Sequence, residues 1–352
     1  MDIAIVGGNS QVGTELAFLF RDNGHDVTPV VRNRLGSSFL IDHGFDCAIG
    51  TLKNDGDAER ILVGVDLVVV AAYAPPFTGG VNNPREARKT NDAIVENAFE
   101  YAPDGATVVY FSTVSAFGTD LYREGEQWRL YAREKRHFEA KVKSLSDASV
   151  TDGYAFRLGH VLGQNQNRTQ HIKSAMPEKG TFVVRADPLI PSNTVHTVTL
   201  KEAIERVAND NFEQTLFSIF NEPQWTWGDV LEFYAPNRVD IKYDVPSYGE
   251  RQSWIQKLFS AGWGVVLEYK NYLIPYMVYL PEIINRRLMH RSRKGEVGDD
   301  IATYRRRNEF HIDEFDFKPI DEQSVLGLTP TDELLASEPT VDDIFEPDNE
   351  VE

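Results

Sequence analysis

The chain has 352 residues, of which 41% are hydrophobic and 26% are charged, values typical of a folded globular protein of about two domains. They exclude a collagen-like, low-complexity or wholly disordered chain. The formal net charge of -18 argues against a general nucleic-acid binder, which needs clustered Lys and Arg for phosphate contacts, and the single cysteine, Cys47, excludes an intramolecular disulfide framework.

The first half of the chain alternates short apolar runs with amphipathic segments. The runs are rich in Val, Ile, Tyr and Phe and fall at 3–6, 27–31, 67–72, 107–112 and 154–158. Apolar side chains recur every three or four residues, as in amphipathic helices, at 11–22, 86–102 and 127–146. This alternation predicts an α/β fold with a Rossmann-type doubly wound parallel sheet. Pro29 interrupts the second run and predicts a local bulge, because proline cannot donate to a ladder.

The pattern becomes less regular after about residue 165. Helical patterns and short strand-like runs predict a smaller, partly helical C-terminal portion, with helices at 202–209 and 227–234 and strands at 181–185 and 216–219. We therefore expect a first domain at 1–165, a second portion at 166–330 and a tail at 331–352. The tail holds nine carboxylates and neither Lys nor Arg, which predicts a solvated, mobile segment.

An aromatic-rich helical insertion is predicted within the second portion, at about 252–292. Packing on that portion or on a second subunit is the main interpretation, and a basic run at 286–294 leaves peripheral membrane contact as the alternative. The longest uncharged run there, 271–281, is far shorter than the about 20 residues that span a bilayer. Since no signal sequence is recognised before residue 3, we expect a cytoplasmic protein without a transmembrane segment.

A glycine-rich turn lies between the first predicted strand and the first predicted helix. Residues 7–13 read GGNSQVG. In this order of strand, turn and helix, backbone N–H groups and the positive end of the helix can meet a pyrophosphate. The turn therefore predicts that 1–165 binds a dinucleotide through Gly7, Ser10, Gln11, Val12 and Gly13. A tight turn without a ligand is the alternative.

The residues after the second predicted strand bear on the choice of cofactor. The strand ends at Val31 and is followed by Arg32, Asn33 and Arg34, with no Asp or Glu. An acidic residue here would accept hydrogen bonds from the adenosine ribose of NAD, whereas an arginine favours the extra phosphate of NADP. The sequence favours NADP, with NAD as the alternative. Arg32 and Arg34 as ordinary surface charges are the competing interpretation.

Tyr131 and Lys135 lie four residues apart in the helix predicted at 127–146, so they share one helix face. A free tyrosine has a pKa of about 10, and a neighbouring cation lowers the pKa toward neutrality, where the phenol can act as a general acid and base. A tyrosine and a lysine four residues apart also occur by chance. The prediction of a catalytic pair therefore depends on the position of their helix, which follows the predicted strand at 107–112. Ser112, Thr113 and Ser115 end that run and either bond a substrate oxygen or cap the local backbone.

Together these motifs resemble those of an extended short-chain dehydrogenase/reductase of the NAD-dependent epimerase/dehydratase family, over about residues 1–235. The resemblance implies that Tyr131 is the catalytic acid and base, that Lys135 holds both the nicotinamide ribose and the phenolate charge, and that Thr113 is the catalytic hydroxyl. It also implies a homodimer. The further cofactor contacts that it implies are Thr51 and Leu52 beside the adenine, then Ala71, Ala72, Tyr73, Leu158 and Val161. The implied substrate contacts are Ser115 and His160.

Several features depart from the family pattern, and two of them concern contacts to phosphate groups. Ser10 stands in place of the middle glycine of the turn. Residues 192–197, SNTVHT, replace a stretch that usually carries an arginine on a nucleotide diphosphate, and Arg185 or the arginines of 286–293 are the candidates to replace that cation. His196 in this stretch is expected to pack structurally, and no His or Cys spacing indicates a metal site.

Hydride transfer between a nicotinamide and an alcohol or ketone carbon, of a nucleotide-linked or other sugar, is the leading prediction. A reductase or dehydrogenase of an apolar, non-nucleotide alcohol or ketone is the first alternative. A non-catalytic protein that senses the cofactor is the second, and the presence of Thr113, Tyr131 and Lys135 together argues against it. We expect a small-molecule substrate and no nucleic-acid partner.

Overall fold

The computed structural model describes residues 1–75, 84–114, 116, 126–164, 166–184, 187–210, 212–221, 224–244 and 309–310. The insertion predicted at 252–292, the acidic tail and the residues Ser115 and Arg185 lie outside this description. The described chain forms two compact units, one of residues 1–171 and 189–230, the other of residues 172–188, 231–244 and 309–310. The domain boundary expected near residue 165 stays a prediction.

The first unit contains a seven-stranded sheet in which every pairing is parallel. Side by side, the strands are β10 (Leu216–Ile219), β6 (Asp152–Leu158), β5 (Thr107–Thr113), β4 (Leu67–Val70), β1 (Asp2–Val6), β2 (Asp26–Val31) and β3 (Ala48–Ile49). The chain order reverses direction between β1 and β4, and such a reversal opens a crevice at the carboxyl ends of the strands. The predicted doubly wound parallel sheet is confirmed.

Successive strand residues pack into two separate hydrophobic cores, one on each face of the sheet. Ile3 and Ile5 belong to one core, with α1 (Gln11–Asp22), α2 (Ser38–Asp42) and α7 (Thr197–Asn209). Ala4 and Val6 belong to the other, with α3 (Asp55–Ile61), α4 (Pro84–Glu100) and α5 (Glu126–Ala148). Helices on both faces explain why the strands are apolar throughout instead of alternating.

Shorter elements complete the described chain. In the first unit, β7 (His160–Leu162) pairs in parallel with β9 (Thr194–His196). In the second unit, β8 (Gly180–Val184) lies between β11 (Val239–Tyr243) and β12 (Glu309–Phe310), again with parallel pairing. The remaining elements are a 3-10 turn at Leu35–Ser37, α6 (Asn167–Ala175) and α8 (Trp227–Tyr234).

Pro29 lies inside β2 without the bulge that the sequence predicts. The register between β1 and β2 is unbroken, with Ile5 opposite Pro29. Gly7 and Gly8 both donate to the Val30 carbonyl, which therefore points toward β1. Pro29 faces the other side, because neighbouring residues of a strand alternate, and there β3 begins only opposite Val30. The absent N–H of Pro29 therefore removes no ladder hydrogen bond.

Candidate active site

The glycine-rich turn brings β1, α1 and the end of β4 into close contact. Gly7 has a φ of +88°, and a Cβ atom there would lie 2.9 Å from the backbone nitrogen of Ala72. A Cβ atom on Gly13 would lie 2.5 Å from the carbonyl oxygen of Gly7. Both positions therefore need glycine, one for its conformation and both for space. The turn has the tight strand-to-helix geometry of a pyrophosphate cradle.

Ser10 is the N-cap of α1, and its Oγ accepts a hydrogen bond from Gly13 N at 3.1 Å. The hydroxyl that replaces the family glycine thus takes up one free N–H group of the helix end. The Gln11 side chain is also occupied, since Nε2 donates to Asn167 Oδ1 at 2.7 Å and Oε1 accepts from Asn167 N at 3.2 Å. What Gln11 and Val12 offer a pyrophosphate is therefore their backbone N–H groups, in the first turn of α1.

The ends of β2 and β3 place Arg32 beside the segment predicted to meet the adenine. Gly50 N donates to the carbonyl of Val31 at 2.9 Å, so the ends of β2 and β3 are adjacent. The exposed Arg32 follows β2, and Thr51 follows the end of β3. Asn97 of α4 donates from Nδ2 to the carbonyl of the buried Leu52 at 2.7 Å. This asparagine fixes the loop that contains Leu52, and it was not predicted from the sequence.

A second asparagine of α4 fixes the chain after β4. Asn91 accepts from Ala74 N through Oδ1 at 2.8 Å and donates from Nδ2 to the Ala74 carbonyl at 3.0 Å. The clamp follows Ala71, Ala72 and Tyr73, the predicted cofactor contacts at the end of β4. Asn91 shares the buried helix face of Ile94 and Val95, and a polar residue on an apolar face is the sequence signal that could have revealed it.

The structure brings Tyr131, Thr113 and Tyr73 together. Thr113 hydrogen-bonds the Tyr131 phenol and favours its ionised form, but burial dominates and raises the pKa of Tyr131 to about 12. The rings of Tyr73 and Tyr131 meet edge to face, with centroids 5.4 Å apart and planes at 80°. The predicted pair of catalytic hydroxyls is therefore assembled at the carboxyl end of β5.

Lys135 lies one helical turn beyond Tyr131 and is buried. Its Nζ donates to the Phe111 carbonyl at 2.6 Å and lies 4.6, 4.7 and 5.8 Å from the ring centroids of Tyr73, Tyr110 and Tyr131. Burial lowers the pKa of Lys135 to about 7, although the nearby Glu139 carboxylate raises it. Burial thus moves the Tyr131 and Lys135 pKa values in the directions that favour the neutral forms, opposite to the expected effect of the lysine on the phenol.

Two buried glutamates anchor α5. Glu139 accepts from Ser112 Oγ at 2.5 Å and forms a two-point ion pair with Arg157 of β6. Glu134 forms a similar pair with Arg88 of α4. Neither glutamate was predicted from the sequence, although Glu139 follows Lys135 at the same four-residue spacing that separates Lys135 from Tyr131. Ser112 therefore faces α5 and does not share the substrate role proposed for strand-end hydroxyls.

His160 lies in the segment after β6, and its role as a substrate contact stays a prediction. Leu158 is buried at the end of β6, Val161 is partly buried, and the His160 ring lies 5.7 Å from the Trp227 ring. His160 N donates to the Asn193 carbonyl at 2.9 Å, and a Cβ atom on Gly159 would collide with that carbonyl. The segment predicted to contact the substrate is thus held directly against the stretch in which an arginine was expected from the family resemblance.

Residues 192–197 are all buried. Ser192 Oγ and Thr194 Oγ1 hydrogen-bond each other at 2.8 Å, and His196 Nδ1 accepts from Asn221 Nδ2 at 2.8 Å. Burial lowers the pKa of His196 to about 4, so the imidazole is neutral at pH 7. The stretch therefore packs internally, as expected for His196.

Within the described residues, no group of His, Cys, Asp and Glu is arranged to hold a metal ion. The helices of the same residues include none that is long and apolar enough to cross a membrane.

The model of the NAD dependent epimerase/dehydratase family matches residues 3–180, which is half of the chain. Among solved structures, the UDP-glucose 4-epimerase of Thermotoga maritima with UDP-glucose is similar, with a TM-score of 0.52 and 16% identity over 71% of this chain and 87% of that chain. The UDP-N-acetylglucosamine 4-epimerase of Bacillus cereus has a TM-score of 0.50 and 14% identity over 70% and 87%. At these identities the likeness shows the fold, and no curated protein matches the sequence. The chain belongs to the NAD-dependent epimerase/dehydratase family, enzymes of the extended short-chain dehydrogenase/reductase type.

Proposed function

We propose that the protein is an NADP-dependent enzyme that moves hydride between the nicotinamide and an alcohol or ketone carbon of a sugar. One observation carries this proposal. The Tyr131 phenol is hydrogen-bonded to Thr113, and Lys135 lies one helical turn away beneath the same ring. A protein that only sensed the cofactor would have no use for a proton donor assembled in this way. A homodimeric assembly and a cytoplasmic location stay predictions.

The residues of the first unit fit a dinucleotide. The backbone N–H groups of Gln11 and Val12, with the Ser10 hydroxyl, would hold the pyrophosphate at the N-terminus of α1. The loop of Thr51 and Leu52 would lie beside the adenine. The exposed Arg32 would bind the extra phosphate of NADP, because a guanidinium matches phosphate geometry. Ala71, Ala72, Tyr73, Leu158 and Val161 would line the rest of the cofactor.

The hydroxyls of Thr113 and Tyr131 would bind the reacting oxygen of the substrate. Tyr131 gives a proton to this oxygen when a ketone is reduced and takes it back when an alcohol is oxidised. Thr113 favours the phenolate that remains, while burial of Tyr131 opposes it. The positive charge of the Lys135 ammonium beside the phenol stabilises the phenolate and so opposes the effect of burial. When bound, an oxidised nicotinamide supplies the hydride acceptor and a further positive charge.

A second candidate is a reductase or dehydrogenase of an apolar, non-nucleotide alcohol or ketone. The buried stretch 192–197 favours it, because Ser192, Thr194 and His196 hydrogen-bond within the protein and contribute no cation to a diphosphate. The UDP-sugars named with the similar solved structures favour the first candidate instead. Only the substrate differs between the two candidates, since Thr113, Tyr131 and Lys135 have the same roles in both.

The test supplies both candidate classes of substrate to the full-length protein. Deuterated NADPH is offered with a series of simple ketones, and NADP is offered with UDP-hexoses. Mass spectrometry detects deuterated or oxidised products, and chromatography that separates epimers detects an altered UDP-hexose of unchanged mass. The proposal expects deuterium on a ketone carbon, or an altered or oxidised UDP-hexose, with wild type and none with Tyr131→Phe. Tight binding of NADPH without any product in either series would favour the cofactor-sensing alternative and contradict the proposal.

A further inference from the structure

Glu139 is a buried carboxylate for which the proposed reaction has no direct use. It lies in α5, is 6% exposed and follows Lys135 by four residues. Its two oxygens accept three hydrogen bonds, from Ser112 Oγ at 2.5 Å, from Arg157 Nε at 2.8 Å and from Arg157 Nη2 at 2.7 Å. A buried carboxylate with this many charge-assisted bonds fixes the backbone segments that carry its partners.

These partners are neighbours in the sheet. Ser112 of β5 lies directly opposite Arg157 of β6 in the register of the two strands. Ser112 precedes Thr113, and Arg157 precedes Leu158, so Glu139 holds both strands one residue before the predicted site positions. The carboxylate therefore joins α5 to the carboxyl ends of two strands at once.

Three successive turns of one face of α5 contact three consecutive residues of β5. Tyr131 bonds Thr113, Lys135 bonds the carbonyl of Phe111, and Glu139 bonds Ser112. Glu139 also reaches β6, through Arg157. A slide or rotation of α5 that moved Tyr131 off Thr113 would have to break the bonds of Glu139 as well.

We propose that Glu139 is a positioning residue, which sets the place of Tyr131 and Lys135 against Thr113 by tying α5 to the ends of β5 and β6. The expected effect of Glu139 on kcat rests on the proposed function, but its expected effect on the pKa of Lys135 does not.

The electrostatic consequence concerns Lys135. The Glu139 carboxylate raises the pKa of Lys135 against the stronger effect of burial. Lys135 also contacts the rings of Tyr73, Tyr110 and Tyr131, and Glu139 pairs with the Arg157 cation. Replacing the carboxylate by the isosteric amide in Glu139→Gln removes a negative charge and leaves Arg157, so the pKa of Lys135 must fall further.

Glu134 provides a matched control on the same helix. It is 4% exposed and pairs with Arg88 through two hydrogen bonds from Nε, so it is as buried and as well paired as Glu139. Its partner belongs to α4, however, and not to β5 or β6. Glu134→Gln should therefore lower the melting temperature to a similar extent without moving Tyr131 or the pKa of Lys135.

The first measurement is NMR of the full-length protein with 13C-labelled lysine side chains, with Lys135→Met to identify the Lys135 resonance. We expect Lys135 to titrate near pH 7 in wild type and in Glu134→Gln, and at lower pH in Glu139→Gln. An unchanged Lys135 titration in Glu139→Gln would overturn the inference. If Glu139→Gln does not fold, Glu139→Gln combined with Arg157→Gln leaves no unpaired buried charge. It is expected to show a smaller fall in the same direction, because the Arg157 cation is removed together with the nearer carboxylate.

The second measurement uses whichever substrate the deuterium test identifies. In Ser112→Ala the carboxylate and the ion pair remain, so we expect kcat to fall about tenfold while the cofactor Kd stays within about threefold and the pH profile keeps its shape. In Glu139→Gln the alkaline limb of the kcat profile should also move to lower pH. An equal kcat in wild type, Ser112→Ala and Glu139→Gln would overturn the inference that Glu139 positions Tyr131 and Lys135. A Lys135 shift in NMR without turnover on any substrate would instead contradict the proposed function and leave the Glu139 coupling established.

Discussion

The Nζ atom of Lys135 donates to the carbonyl oxygen of Phe111 at 2.6 Å, and this bond joins α5 to β5 behind the Tyr131 phenol. The donor lies among three tyrosine rings, which attract a cation through their faces. Burial nevertheless lowers the pKa of Lys135 to about 7. A side chain that the proposed reaction needs as an ammonium therefore changes charge near neutral pH.

Lys135→Met is expected to raise the melting temperature at and below pH 7. The folded-state pKa of Lys135 lies below its ordinary value of 10.5, so protonation favours the unfolded chain, and this cost is complete below pH 7 and absent above pH 10.5. One pKa unit corresponds to about 1.4 kcal/mol, so a gain on the order of 1–3 kcal/mol remains after the ring contacts are lost. Melting curves of both proteins between pH 6 and pH 10.5 measure it, and the gain should shrink as the pH rises.

Lys201→Met is the control for this comparison. Lys201 has the same 5% exposure, but its Nζ bonds the carboxylates of Glu202 at 2.7 Å and Glu205 at 3.1 Å. Its loss leaves partly buried carboxylates without their cation and should lower the melting temperature. A Lys135→Met protein that is less stable than wild type at pH 6 would contradict the assigned direction of the Lys135 pKa.

Gly13→Val is expected to weaken NADPH binding by about tenfold or more, because its Cβ would lie 2.5 Å from the Gly7 carbonyl and must displace α1 from the turn. The control is Gly56→Ala in α3, where a Cβ meets no heavy atom within 4 Å, and where helix propensity predicts unchanged or slightly higher stability. Fluorescence titration with NADPH measures both. Equal affinity in wild type and Gly13→Val would show that the turn does not hold the cofactor.

Arg32→Ala is expected to narrow the preference for NADPH over NADH, mainly by weakening NADPH. An arginine–phosphate hydrogen bond contributes roughly 1.5–3 kcal/mol, which is about ten- to a hundredfold in affinity. The exposed Arg34 of the same loop is the control, and Arg34→Ala should have the smaller effect. Both cofactors are titrated into all three proteins. A wild type that prefers NADH would assign NAD instead and leave Arg32 as a surface charge.

The sequence predicts the part of the fold that depends on local pattern. The five apolar runs of the first half correspond to β1, β2, β4, β5 and β6, because strands covered on both faces stay apolar throughout. The pattern does not reveal β3, which is two residues long, or the pairing of β7 with β9. Pro29 shows the same limit. Whether its missing N–H removes a ladder hydrogen bond depends on which side of β2 pairs with the longer strand, β1, and which with the short strand, β3. The order of strands in the whole sheet decides this.

Predictions of the site succeed where spacing along one helix decides the geometry, as for Tyr131 and Lys135. Hydrogen bonds between residues that are far apart in the sequence could not be predicted from it. Asn91 bonds Ala74 across 17 residues, and Gln11 bonds Asn167 across 156. The pKa values depend on burial as well as on neighbouring charge, so a sequence spacing that places a cation near a phenol cannot show that burial outweighs it.

The rate of a single hydride transfer in Tyr131→Phe, compared with its NADPH affinity, tests the proposed chemistry most directly. The Tyr131 phenol hydrogen-bonds Thr113 and moves a proton in the proposed reaction, while the proposed cofactor contacts are largely those of the turn and the strand ends. We expect the transfer rate to fall by about a hundred- to ten-thousandfold and the Kd for NADPH to stay within about threefold. A Tyr131→Phe protein that transfers hydride at the wild-type rate would remove Tyr131 from the reaction and contradict the proposed function.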